Sequence, residues 1–135
     1  MLKAQGTEND SIFFIRSNPT ESHRWGGVRF QESATDSSIF EYCVIDNCTN
    51  SASTNGGGVY CDNVVVIIRN SRISNCELGD NGAGGGIYAN AADILVERCL
   101  ITNNSAESGG GISMGNCKGA VVRNNIIAFN KTTGT

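Results

Sequence analysis

The sequence predicts an all-β solenoid: a parallel β-helix of about four to five coils, each with three short strands. Two recurrences and the composition lead to this reading. Gly56-Gly57-Gly58-Val59-Tyr60, Gly84-Gly85-Gly86-Ile87-Tyr88 and Gly109-Gly110-Gly111-Ile112-Ser113 repeat one motif, and Trp25-Gly26-Gly27-Val28-Arg29-Phe30 is a degenerate first copy. From Val28 through Val59 and Ile87 to Ile112 the steps are 31, 28 and 25 residues. A second anchor, the isoleucine at Ile45, Ile73, Ile101 and Ile127, steps by 28, 28 and 26. Two independent anchors with nearly the same period mark an internal repeat. Glycine is abundant, at 17 of 135 residues, proline occurs once, and only 17% of residues are charged. Helix formers are scarce beside Asn, Ser, Val and Ile, which disfavours a helical repeat.

The elements of one repeat follow in order. Ser38-Ile39-Phe40-Glu41, Val66-Ile67-Ile68-Arg69, Ile94-Leu95-Val96-Glu97 and Ala120-Val121-Val122-Arg123 are short apolar strands, each ending in a charge. One turn residue follows (Tyr42, Asn70, Arg98, Asn124), then a second strand closing on the anchoring isoleucine. A polar loop leads from there to the glycines and a third strand. No coil of this kind buries its apolar side alone; stacking at ~4.8 Å makes the core. Alternation along each strand assigns the faces. Phe40, Ile68, Val96 and Val122 point inward with the anchoring isoleucines, as do Val59, Ile87 and Ile112, and then Cys61, Ala89 and Met114. Glu41, Arg69, Glu97 and Arg123 point outward in alternating sign, a ladder that supports the register.

The six cysteines follow the repeat rather than a disulfide framework. Cys43 and Cys99 share a slot with Ser71, and Cys48 and Cys76 share one with Asn104 and Asn130. Free interior thiols are therefore expected, and Cys48 with Cys76 is the pair whose stacking would suit a bridge. No C-x-x-C or Cys/His spacing suggests zinc. A net charge of -3 offers no basic patch, which argues against nucleic acid as a partner. No apolar run approaches the ~18 residues of a membrane span. The sequons at Asn47, Asn103 and Asn130 read as turn asparagines.

With these residues in view, the chain resembles the right-handed parallel β-helix proteins of the pectate-lyase-like superfamily. Asn103-Asn104-Ser105-Ala106 and the glycine copies are similar to the repeats of bacterial surface β-helices, including polymorphic outer-membrane proteins. Leu2-Lys3-Ala4-Gln5-Gly6-Thr7, Ser11-Ile12-Phe13-Phe14 and the Trp25 segment are similar to the opening coils of extracellular members. The resemblance implies right-handed coiling and an extracellular or cell-surface location, with the signal outside this chain. Members usually carry caps and more coils. Uncapped ends imply self-association as a homo-oligomer, or neighbouring coils of a longer chain. An outward apolar stripe of Phe13, Ile39, Ile67, Leu95 and Val121 points to a partner as well.

The resemblance also places a ligand groove along the sheet that begins at each glycine motif. Its outward positions are Arg29, Tyr60, Tyr88 and Ser113, then Gln31, Asp62, Asn90 and Gly115. Arg29, Tyr60, Asp62, Tyr88 and Asn90 make up the candidate ligand-binding face, a platform for polysaccharide walled by the loops before the glycines, with His23 and Trp25 at one end. Aromatic faces take the C–H side of a sugar while amide and carboxylate bond its hydroxyls. Glycoside hydrolysis needs two facing carboxylates, and Asp62 stands alone there; Asp46, Asp93, Asp36 and Asp80 fall elsewhere. Glu77-Leu78-Gly79-Asp80-Asn81-Gly82 lacks the spacing of a calcium loop. No catalytic set, metal site or cofactor is expected. A non-catalytic module for adhesion, carbohydrate contact or assembly is the leading reading. A self-associating structural subunit and a fragment of a polysaccharide lyase or hydrolase are the alternatives.

Overall fold

The computed structural model describes residues 1–18, 25–31, 37–50 and 54–134. The described strands all pair in parallel within four sheets, each climbing the solenoid one coil per strand. Sheet I holds Lys3–Gln5, Ser38–Glu41, Val65–Arg69, Asp93–Glu97 and Val121–Arg123. Sheet II holds Ile12–Ile15, Cys43–Asp46, Arg72–Ser74, Leu100–Thr102 and Ile126–Ala128. Sheet IV holds the strands that follow the glycines: Val28–Gln31, Val59–Asp62, Ile87–Asn90 and Ile112–Gly115. These are the three strands per coil that the repeat predicts. A further sheet, III, is built inside the polar loops from two-residue strands: Thr49–Asn50, Glu77–Leu78, Ser105–Ala106 and Lys131–Thr132.

The corners between sheets explain the turn residues. Sheet I passes to sheet II through a single residue in the left-handed region: Tyr42 (φ 50°), Asn70 (φ 50°), Arg98 (φ 52°) and Asn124 (φ 57°). One left-handed residue between extended ones turns the chain sharply, and asparagine tolerates that region best among residues with a side chain. Asn47, Asn75, Asn103 and Phe129 repeat the device after sheet II, and Asn63, Ala91 and Asn116 after sheet IV.

The register stacks like on like. Phe40 sits beside Ile68, Ile68 beside Val96, and Val96 beside Val122, while Ile45, Ile73, Ile101 and Ile127 form the facing column. Phe40, Ile68, Val96, Ile45, Ile73 and Ile101 are fully buried. Phe14 and Phe30 meet the Phe40 ring edge-on, at 5.4 and 5.6 Å between centroids. Exposure rises on the last rung: Met114 and Ile127, both at inward positions, are 46% and 47% exposed. Their columns hold, but among the described residues that coil is packed against one neighbour.

Outward, Glu41 pairs with Arg69 at 2.8 Å and Glu97 with Arg123 at 2.9 Å. The Arg69 guanidinium, helped by the Gln5 amide, holds the Glu41 carboxyl below its ordinary value. Such pairs at the solvent boundary are screened by water and contribute little to stability. The apolar outward column of sheet I consists of Ile39, Ile67, Leu95 and Val121 and is headed by Lys3. Phe13 is not part of it; it pairs with Val44 on sheet II. The first coil lacks a charged residue ahead of its turn to mark the register, so the sequence alone misassigns this strand.

All six cysteines are thiols, five of them buried and Cys117 half-buried. Cys43, Ser71, Cys99 and Asn125 occupy one slot, and the side chains there do more than fill space. Ser71 Oγ accepts the Cys43 amide at 3.1 Å, and Asn125 Oδ1 accepts the Cys99 amide at 2.8 Å. Burial pushes the Cys43 and Cys99 thiols up, and Cys61 to about 12; the Cys76 thiol, then burial, push Cys48 up strongly. Thiols held protonated and away from solvent do not react. An aromatic disulfide reagent is therefore expected to modify at most one thiol per native chain, Cys117, and all six after denaturation. Rapid native reaction of three or more would contradict the packed interior.

Candidate functional site

Sheet IV begins where the glycines allow the chain to re-enter the coil. Gly56, Gly84 and Gly109 have φ of 71°, 74° and 57°, in the left-handed region. The triplets then hydrogen-bond to one another from rung to rung, Gly57 N–H to Gly84 O at 3.0 Å and Gly85 N–H to Gly109 O at 3.2 Å. Immediately after each triplet the strand alternates. Val59 and Ile87 point into the core, and Tyr60 and Tyr88 point outward, half-buried.

The five candidate residues share the outer face of this sheet in two columns. Arg29, Tyr60, Tyr88 and Ser113 form one by strand register, and Gln31, Asp62, Asn90 and Gly115 form the other. The Tyr60 and Tyr88 rings are stacked, 5.4 Å between centroids and 13° from parallel. The Arg29 guanidinium lies 4.0 Å from the Tyr60 centroid, a cation–π contact. Arg29 comes from the coil before Tyr60 and Tyr88 from the coil after, so both faces of the Tyr60 ring are covered. The stack thus runs along the solenoid axis, with ring edges and hydroxyls outward. On the next rung Tyr88 is followed by Ser113, whose side chain is too short to cover a phenol ring.

The second column is tied by amides. Asn90 Nδ2 donates to Asp62 Oδ1 at 2.9 Å, and Asn116 Nδ2 donates to Asn90 Oδ1 at 3.2 Å. Arg29 also donates to Asn55 O at 3.0 Å, tying the first rung to the loop before the second triplet. Beside Arg29 an open hollow of about 290 Å³ lies between sheets IV and I, bordered by Phe30, Gln31, Ser38 and Val64. Trp25 packs against the core and stands near the Cys48 thiol. His23, Asp36 and part of the loop before Asn55 lie outside the described residues. Asp46 is elsewhere, on sheet II, where Ser74 and Asn75 donate to its carboxylate at 2.6 and 2.8 Å. Asp93 lies on sheet I. Among the described residues, no group of three or more His, Cys, Asp or Glu side chains is arranged to hold a metal ion.

Sequence reasoning finds both columns, since register follows from the repeat. It also gives the two tyrosines as a stacked pair, which they are; it misses Asn116, which follows the last strand rather than standing on it, and that the ring faces turn along the axis rather than outward. Ring orientation depends on side-chain torsions that a column of letters does not contain.

A family model described as a right handed beta helix region matches residues 6–135, nearly the whole chain. The chain belongs to the right-handed β-helix family. No curated protein and no solved structure compared with it matches. Membership accounts for the parallel coils and the right-handed turn, and it says nothing about what the outer faces touch.

Proposed function

We propose that this β-helix is a non-catalytic module of an extracellular or cell-surface protein, and that the outer face of sheet IV contacts a saccharide. The placement outside the cell rests on the likeness of its repeats to bacterial surface β-helices. The observation that carries the contact is the stack Arg29–Tyr60–Tyr88, which stops one rung short at Ser113. A pyranose ring set above Ser113 continues the stack, with its C–H face on Tyr88. Its hydroxyls then reach the linked Asn90 and Asn116 amides, the near end of the chain that runs on to Asp62. Asp62 is the one carboxylate on this face among the described residues, and a glycosidase needs two across the scissile bond. That supports contact rather than turnover.

The test is a glycan array followed by titration of whatever binds. Stacking on one aromatic face contributes roughly 0.5–1.5 kcal/mol beyond area burial. Tyr88→Ala is therefore expected to weaken binding about tenfold, and Ser113→Tyr, which fills the seat, by at least as much. Tyr60→Ala should act less, since both its faces are already covered. Absence of binding across the array, or binding indifferent to both Tyr88→Ala and Ser113→Tyr, rejects the reading.

A further inference from the structure

We propose that the outer face of sheet I is a dimer interface, and that its occupant is a second copy of this chain in reversed coil order. The face carries two parallel columns. One is apolar: Ile39, Ile67, Leu95 and Val121, with Val121 43% exposed. The other is charged: Glu41, Arg69, Glu97 and Arg123. A continuous apolar column across four coils is more than the scattered exposed side chains that any surface shows.

The charge order selects the occupant. Read upward, the ladder runs minus, plus, minus, plus; read downward, it is its own complement. Two copies packed face to face about a two-fold axis parallel to the strands keep each column opposite its counterpart and invert the rung order. With the axis between the Arg69 and Glu97 rungs, Glu41 faces Arg123 of the other copy and Arg69 faces Glu97. The same operation sets Ile39 opposite Val121 and Ile67 opposite Leu95, so apolar meets apolar. A two-fold axis along the solenoid keeps the rung order and brings like charges together on any rung where the ladders meet. Only the first arrangement satisfies both columns, and it is isologous, as closed dimers are. Within one chain Glu41 pairs with Arg69, and Glu97 with Arg123 and Arg98. The second copy adds partners across the sheets without breaking them.

Size sets the strength. Four opposed rungs at ~4.8 Å and two outward columns ~6.6 Å apart make a face of roughly 20 by 13 Å. Both copies together then bury about 500 Å² counted flat, well below the ~1,000 Å² that a stable specific interface clears. A weak, concentration-dependent dimer is the consequence.

Sedimentation of the purified chain from about 1 to 500 µM, a range suited to weak complexes, is expected to show a monomer–dimer equilibrium. Leu95→Lys places a charge in the middle of the apolar column on an outward side chain. It is expected to raise the dissociation constant at least tenfold while leaving the circular dichroism spectrum and melting temperature unchanged. Register is read by crosslinking in a Cys117→Ser background, with a short bismaleimide matched to the ~10 Å spacing of packed sheets. Ile39→Cys mixed with Val121→Cys should join efficiently, and neither alone should. A chain that stays monomeric throughout overturns the proposal. So does a dimer indifferent to Leu95→Lys, which would place the contact at another surface such as the coil ends.

Discussion

Gly85→Ala is expected to lower the melting temperature by about 10 °C or more, whereas Gly115→Ala leaves it nearly unchanged. Both substitutions add one methyl group to a glycine of a strand or its approach, and their surroundings differ completely. A Cβ on Gly85 would sit 2.3 Å from Gly110 O and 2.6 Å from Ser105 O. Those are backbone atoms of the coil above, not ends of flexible side chains. Relief requires opening the rung spacing at the point where the triplets hydrogen-bond to each other. Forcing atoms into filled space costs ~1–3 kcal/mol and occasionally more, and two rigid backbone contacts put this position at or above the top of that range. A loss of ~3 kcal/mol is a large share of a typical stability of ~5–15 kcal/mol. At roughly 4 °C per kcal/mol for a chain of this size, it gives the expected shift. The reduced unfolded-state entropy that Ala brings is worth only ~0.4–1 kcal/mol. At Gly115 the added atom meets only Asn90 Oδ1, at 3.4 Å, an ordinary contact. Thermal melts of the two variants decide the matter. A Gly85→Ala melt within about 2 °C of the parent would mean that the coils separate more easily than the structure implies.

The same comparison shows what the letters reveal. The triplets read as a repeat marker and a re-entry point, and both hold: the first glycine of each adopts a left-handed φ. The close approach at the second glycine depends on the neighbouring coil. It becomes visible only once the rungs are stacked. Inward and outward positions were legible because two anchors with one period fix the strand parity, and burial of Phe40, Ile68, Val96 and the isoleucines follows it. Phe13 was misplaced because the first coil lacks that anchoring pattern. Sheet III was illegible for a different reason. Strands of two residues, such as Glu77–Leu78, are too short to alternate, and their polar composition is that of a loop. On the candidate face the columns and the stacked tyrosines were readable, and the direction in which the ring faces turn was not. The alternating ladder was plain in sequence as a register device, while its self-complementarity gains meaning only from the outer face of sheet I.

Asn104→Leu is expected to cost about 3 kcal/mol or more, and Asn130→Leu only about 1. The sequence places Cys48, Cys76, Asn104 and Asn130 in one interior slot of small residues, and an isosteric apolar replacement in a core is normally tolerated. The structure gives Asn104 a different task. It is fully buried, yet its Oδ1 accepts the Cys76 amide at 3.0 Å, and its Nδ2 donates to Ile73 O at 3.1 Å and to Asn130 Oδ1 at 3.0 Å. The side chain thereby satisfies the backbone of the coil below at the corner where sheet II gives way to sheet III. Leucine fills the volume but leaves the Cys76 N–H and the Ile73 carbonyl without these partners in a dry interior. Each such buried group costs ~1–3 kcal/mol, and two of them give the expected loss. Asn130 makes the equivalent bonds one rung on, accepting the Asn104 amide at 3.0 Å and donating to Ile101 O at 2.9 Å. It stands half-buried on the last coil, where water replaces part of what leucine removes. Chemical denaturation of both variants measures the difference, and hydrogen exchange locates it: the Cys76 amide should lose protection in Asn104→Leu while the Ile87 amide, held by Gly111 O at 2.9 Å, keeps its own. Equal costs at the two positions would mean that the slot is filled for volume alone. A gradient from Asn104 to Asn130 would show that the interior asparagines hold the corners of this solenoid through hydrogen bonds made in the absence of water.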